Sequence, residues 1–293
     1  MKKIYILLVL FLFDSCISDV ELNLFSNRNN ISVNCLLNPD FNTITAWISY
    51  TKPVLAAVNF VPVVNSQVFL YEEGKLAGQF EKSDSTAYIF LYKIKPGKKY
   101  KIKVICGNIT VWGETVVPAN VTSNFIAIEN QYNSFDYKIS FKDNPVEENY
   151  YWISTKGFKT YDEEVYPEIA AALYSDLGSA DDFNRLPEPG FGYMFEYEKY
   201  IRINDLNLQS DSVRCQFYPA GVHITNGSQE VFVLSVDYHL DKYMKSSLLV
   251  EENDSYAEDV PIVYSPQPVY SNIHGGTGIF GSYVSISKDF NKN

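Results

Sequence analysis

The chain has 293 residues, more than one compact domain usually holds, so two domains are expected. Hydrophobic residues make up 46% and charged residues 20%, which excludes a disordered chain and supplies enough apolar matter for packed cores. A formal net charge of −11 repels phosphate backbones and argues against a nucleic-acid partner, and 3 histidines leave little for a His-rich metal site. The aromatic share of 15% leans towards β-structure, because bulky rings suit a half-buried pleated surface.

Lys2 and Lys3 precede an uninterrupted apolar run, Ile4 to Phe13, followed by Asp14-Ser15-Cys16. Crossing a bilayer core takes about 20 helical residues, so residues 1–15 read as a secretory signal and not a span. Cys16, directly after the small Ser15, resembles the cysteine of the bacterial lipobox, whose thiol is diacylated and which becomes the new N-terminus. Phe13 and Asp14 depart from the leucine and small neutral residue usual there; the alternative is an ordinary cleaved signal with an incidental cysteine. Acyl chains contribute about 0.8 kcal/mol per buried methylene, so two or three would hold the chain on a membrane. Residues 16–30 then form the anchor and a polar tether. Asp19 and Glu21 resemble the export signal of surface lipoproteins of the Bacteroidota. The expected location is the outer membrane, lipid-anchored, on its periplasmic or external leaflet.

Residues 31–121 read as short strands with turns between them. Ile31, Val33, Cys35 and Leu37 share one face, and Ile44, Ala46, Ile48 and Tyr50 repeat the period. Val68–Tyr71 and Leu76–Phe80 flank Glu72-Glu73-Gly74-Lys75 as a hairpin. Tyr88, Phe90 and Tyr92 alternate with Ile89 and Leu91, which predicts cover on both faces of that strand. Tyr100, Ile102, Val104 and Cys106 alternate with Lys99, Lys101 and Lys103, so a one-residue slip would bury three lysines. This spacing argues a β-sandwich. Ile94-Lys95-Pro96-Gly97-Lys98-Lys99-Tyr100 resembles the corner of a fibronectin type III or immunoglobulin-like domain, where a tyrosine hydroxyl bonds to upstream backbone; Tyr100 takes that structural role. Cys35 and Cys106 sit on inward faces and are either bridged or buried as reduced thiols. Cys215, alternating with Val213 and Phe217, reads as core.

Residues 122–293 form the second part, a β-rich domain with one or two helices. Phe125 to Phe141 is strand-like, a short helix is expected over Pro167–Leu177, and a strand lies within Tyr200 to Leu208. A longer helix is predicted near 235–250 with Ser235 as its N-cap. The chain closes with Pro266-x-Pro268, Asn272-Ile273 and Gly276-Thr277-Gly278-Ile279-Phe280-Gly281-Ser282-Tyr283. Gly278 permits a tight entry into a final strand, Phe280 packs inside, and Asn272 satisfies backbone groups of the turn. A phosphate loop is the lesser alternative, since no helix follows to supply a dipole.

An anchor cysteine, an immunoglobulin-like first half, Phe141-x-Asp143 with Asn149-Tyr150-Tyr151, a helix and this closing motif together resemble domain-of-unknown-function family 4249. The resemblance implies an outer-membrane lipoprotein of the Bacteroidota, often encoded beside TonB-dependent transporters, with no catalytic residue to carry over. The stretch from Lys156 to Met194 is longer and more irregular than the family leads one to expect.

Motifs of known enzymes are absent: the sequence holds no Gly-x-Ser-x-Gly, His-Glu-x-x-His, phosphate loop or Cys-x-x-Cys. His239 has Asp237 and Asp241 two residues away on either side, a spacing that does not share a helix face. Asp176, Asp181 and Asp182 are expected in an acidic loop, a calcium candidate although without the EF-hand spacing. Tyr151, Trp152 and Tyr193 are candidates for stacking on sugar rings, against the plainer reading of sheet packing. No cofactor is implied. The expected function is a non-enzymatic accessory or ligand-capturing partner of a TonB-dependent transporter; the alternative is a free-standing glycan- or peptide-binding adhesin.

Overall fold

The computed structural model describes residues 30–51, 61–120, 123–129, 135–142, 148–161, 164–168, 172–176, 181–183, 200–204, 212–220, 227–259 and 268–292. The segment expected as a signal, Cys16 and most of the expected tether lie outside the described residues. The first half runs β1 (Ile31–Leu37), β2 (Thr43–Tyr50), β3 (Val61–Pro62), β4 (Gln67–Glu72), β5 (Lys75–Gln79), β6 (Glu81–Lys82), β7 (Ala87–Leu91), β8 (Lys99–Cys106) and β9 (Ile109–Val116). Then come β10 (Ser123–Glu129), β11 (Phe135–Lys142), β12 (Tyr150–Tyr161), β13 (Glu164–Glu168), β14 (Ala172–Ser175) and β15 (Asp181–Phe183). The chain continues through β16 (Tyr200–Asn204), β17 (Ser212–Ala220), β18 (Gly227–Val236), α1 (Tyr238–Asp259) and β19 (Thr277–Lys292).

The fold is mainly β, built as two sandwiches that share a strand. β5-β4-β8-β9 forms one sheet and β10-β11-β17-β14 another; each faces part of a large sheet ordered β15-β16-β12-β18-β19-β1-β2-β7-β6. Alternation fixes the first sandwich: β1 is buried at every second residue from Ile31 to Leu37, and β8 buries Tyr100, Ile102 and Val104. Glu73 and Gly74, both at positive φ, turn the β4–β5 hairpin. β7 departs from its expected two-sided cover, because Leu91 is 76% exposed.

The joint between the sandwiches is β19. Its residues Thr277–Ser282 run parallel to β1, and Tyr283 onwards pairs antiparallel with β18. The closing motif, which follows the second half in sequence, therefore completes the first sandwich in space: Ile273 and Phe280 lie in one core with Ile31, Cys35 and Tyr100. A second core sits between β11, β17 and the inner face of β12, β16 and β18. On the opposite face of that sheet, α1 buries Leu240, Met244 and Leu248, four residues apart, against Trp152, Tyr200, Leu234 and Ile279.

Several expectations are corrected. Ser235 belongs to β18, and the residue that caps α1 is Asp237. The segment expected as a helix over Pro167–Leu177 contains the end of β13 and all of β14, which pair in register with β12 and β17. Of the two alternatives open for Cys35 and Cys106, the structure has the reduced thiols: Cys35 is sealed in the core, and the Cys106 thiol lies 4.0 Å from the Tyr50 hydroxyl.

Candidate functional site

A cleft of about 540 Å³ opens where the two sandwiches meet the start of α1. Val116 at the end of β9 with Val117–Ala119 beyond it, Glu148 and Asn149 before β12, and Val236–His239 line it. At its floor the Asp237 carboxylate is saturated. Oδ1 accepts the backbone N–H groups of His239 and Leu240, at 2.6 and 2.9 Å, which is the N-cap geometry. Oδ2 accepts the Thr115 hydroxyl at 2.6 Å and the backbone N–H of Ser282, whose own hydroxyl lies 2.8 Å away. One side chain thus ties β9, β19 and α1 together. Burial pushes the Asp237 carboxyl up from its ordinary value, and the donors around it oppose that rise.

One turn further along α1, Asp241 is buried in a second network. Arg202 of β16 meets it twice, Nε to Oδ1 at 2.7 Å and an Nη to Oδ2 at 2.8 Å, and Trp152 Nε1 donates to Oδ1 at 2.9 Å. His239 occupies the rim, its Nδ1 2.7 Å from the Tyr270 hydroxyl; burial lowers its pKa, so the neutral ring is favoured. At the mouth, Lys99 and Glu114 pair at 2.6 Å. The buried acids hold elements together, and what the cleft presents is a mixed polar surface.

The residues singled out from the sequence fall mainly elsewhere. Tyr151 and Trp152 are 1% and 0% exposed and belong to two different cores, so they do not form a stacking platform. Tyr193 and Cys16 lie outside the described residues. Asp181 and Asp182 are in β15, paired with β16 where an acidic loop was expected, while Asp176 accepts the backbone N–H of Gln216 at 2.7 Å. The Tyr100 hydroxyl accepts the backbone N–H of Lys95 at 3.0 Å and donates to Glu72 at 3.2 Å, which is a tyrosine corner. Asn272 bonds the carbonyls of Glu114 and Phe280 through Nδ2 and the Phe280 N–H through Oδ1. At Gly278, with φ of 105°, an added Cβ would stand 2.2 Å from the Val33 carbonyl oxygen. Sequence reasoning passed over Thr115, Arg202 and the capping role of Asp237. An arginine inside the apolar run Tyr200–Ile203 was the readable sign of a buried partner.

A family profile described as "Domain of unknown function (DUF4249)" matches residues 17–289, nearly the whole chain. The chain belongs to the DUF4249 family. No curated protein matches this DUF4249 chain. Among solved structures, collagen adhesin from S. aureus is 6% identical, with 90% of this chain and 96% of that one covered and a TM-score of 0.22. A structure described as manganese lipoxygenase of Gaeumannomyces graminis with partial zonadhesin of Komagataella pastoris is 7% identical, covering 73% and 91%, at a TM-score of 0.23. Chitinase ChiA74 from Bacillus thuringiensis is 13% identical over 65% of this chain and 26% of its own, at 0.18. Scores this low carry no argument about the DUF4249 chain.

Proposed function

We propose that this chain is a non-enzymatic outer-membrane or surface lipoprotein, held by acyl chains on Cys16, that serves as an accessory or ligand-capturing partner of a TonB-dependent transporter. The observation that carries the reading is the commitment of Asp237, Asp241 and Arg202 to joining strands and helix. With those groups engaged in the fold, binding surface is what the body offers. An N-terminal lipid supports the partnership, because a tether raises the effective concentration of a captured ligand near a membrane-embedded barrel.

Crosslinking and purification of the tagged protein from native outer membranes, beside Cys16→Ala, tests this. A barrel transporter recovered in near-equal amount with wild type alone supports it; clean recovery of the lipoprotein by itself overturns it. The second reading, a free-standing glycan- or peptide-binding adhesin, is favoured by the lysine and aromatic sheet face of β4 and β8. Ligand binding that persists in cells lacking the neighbouring transporter would select it.

A further inference from the structure

The outward face of β5-β4-β8-β9 combines charge with half-buried rings. Lys99, Lys101 and Lys103 point away from the core, because the residues between them, Tyr100 and Ile102, are fully buried. Register sets Tyr71 beside Lys101 and Phe69 beside Lys103, and both rings are half-buried. On the other side Glu114 lies beside Lys101 and Trp112 beside Lys103. Glu114 pairs with Lys99 at 2.6 Å and Lys101 at 3.3 Å, and Lys103 has no ion-pair partner among the described residues. A second carboxylate, Glu73, accepts the Lys99 backbone N–H at 2.9 Å, so three ammonium groups face two carboxylates on a chain of net charge −11. Trp112 is already occupied. Lys101 Nζ stands 3.7 Å from its ring centroid and the His274 ring stacks at 3.9 Å, and the two fit only on opposite faces.

We propose that this face binds an anionic polysaccharide, with Lys101 and Lys103 taking sugar carboxylates while pyranose rings rest on Tyr71 and Phe69. Local positive charge draws a polyanion to this face of an otherwise repelling body. β4 and β8 are hydrogen-bonded on both edges, so the centre of the face reads its ligand through side chains. Rings beside ammonium groups suit a ligand that carries C–H faces and carboxylates together, as a uronic acid does. This names a ligand class for the capture reading and rests on it for biological role alone.

The test uses the purified full chain in detergent, with polygalacturonate, its methyl ester and polyglutamate as probes in titration calorimetry. Polygalacturonate binds, the ester does not, and affinity falls as salt rises. Lys103→Glu and Tyr71→Ala each weaken binding about tenfold or more with the melting temperature kept. No binding at low salt, equal binding of the ester, or equal binding by Lys103→Glu overturns the proposal. Polyglutamate bound as tightly as polygalacturonate also overturns it, assigning the face to an acidic protein. Copurification of a transporter does not depend on any of these outcomes, so the two readings fail separately.

Discussion

The side chain of Asp237 accepts the backbone N–H of Ser282, while the Asp237 N–H returns to the Ser282 carbonyl at 3.0 Å. Ser282 is the residue at which β19 leaves β1 to join β18, so this reciprocal pair pins the start of α1 to the switch point. Asp237→Asn places an amide NH₂ among donors that include an N–H unable to turn away. We expect a loss of about 2–4 kcal/mol, read from urea unfolding. An unchanged midpoint would show that the node is not what holds α1.

Asp241 and Arg202 form a buried pair, 3% and 9% exposed in their side chains. Removing one partner alone, as in Asp241→Asn or Arg202→Met, strands a buried charge and should cost about 3–5 kcal/mol. Replacing both with apolar residues should recover much of that. Trp152 Nε1 loses its acceptor once Asp241 is made apolar, which keeps recovery incomplete. A double-mutant cycle measures the coupling.

How far the sequence could be read depended on the range of the contacts. Period-two patterns in β1, β2 and β8 gave faces and register, since each residue's burial alternates within its own strand. The corner at Tyr100 was legible because its acceptor geometry spans only five residues. The Asp237 node was not: Thr115 reaches it across 122 positions, and no local pattern encodes such a contact. Asp176 shows the same limit, because its partner strand comes 40 residues later. Tyr151 and Trp152 looked like a surface platform for want of the knowledge that both sheet faces there are covered, one by β11 and one by α1.

Glu72 gathers Lys95 at 2.8 Å, the Tyr92 hydroxyl and the Tyr100 hydroxyl, and the Lys95 bond first among these holds its carboxyl below the usual value. A lowered folded-state pKa means stability present above the unfolded carboxylate pKa and lost as pH falls through the folded one. Melting temperature should therefore drop on acidification below about pH 4.5. In Glu72→Gln that acid limb should be shallower, and an identical profile would remove Glu72 from it.

Burial raises the Cys35 thiol pKa far above its ordinary value, whereas Cys106 is only half-buried. The native chain should take a maleimide at Cys106 and leave Cys35 unmodified until denaturant is added. Peptide mass mapping of the labelled chain distinguishes this from a disulfide, which would protect both.

Gly278 meets Val33 where β19 runs beside β1, and its φ of 105° is closed to residues with a Cβ. Gly278→Ala should destabilise by more than about 1 kcal/mol, visible as a lower thermal midpoint. Gly97→Ala is the control; its φ is also positive, at 71°, but nothing lies within 4 Å of the added atom. It should cost less.

β19 also sets the timetable of folding. Ser285 bonds Asp40 from 245 positions away, and the same strand supplies Phe280 to the first core. Contacts so distant in sequence form slowly, since a long loop must close before they reward the chain. Until β19 has emerged from the ribosome, β1 presents an unpaired edge and the core around Tyr100 lacks a wall. The sandwich that begins at β1 is therefore closed only by β19, a strand that follows all the others in sequence.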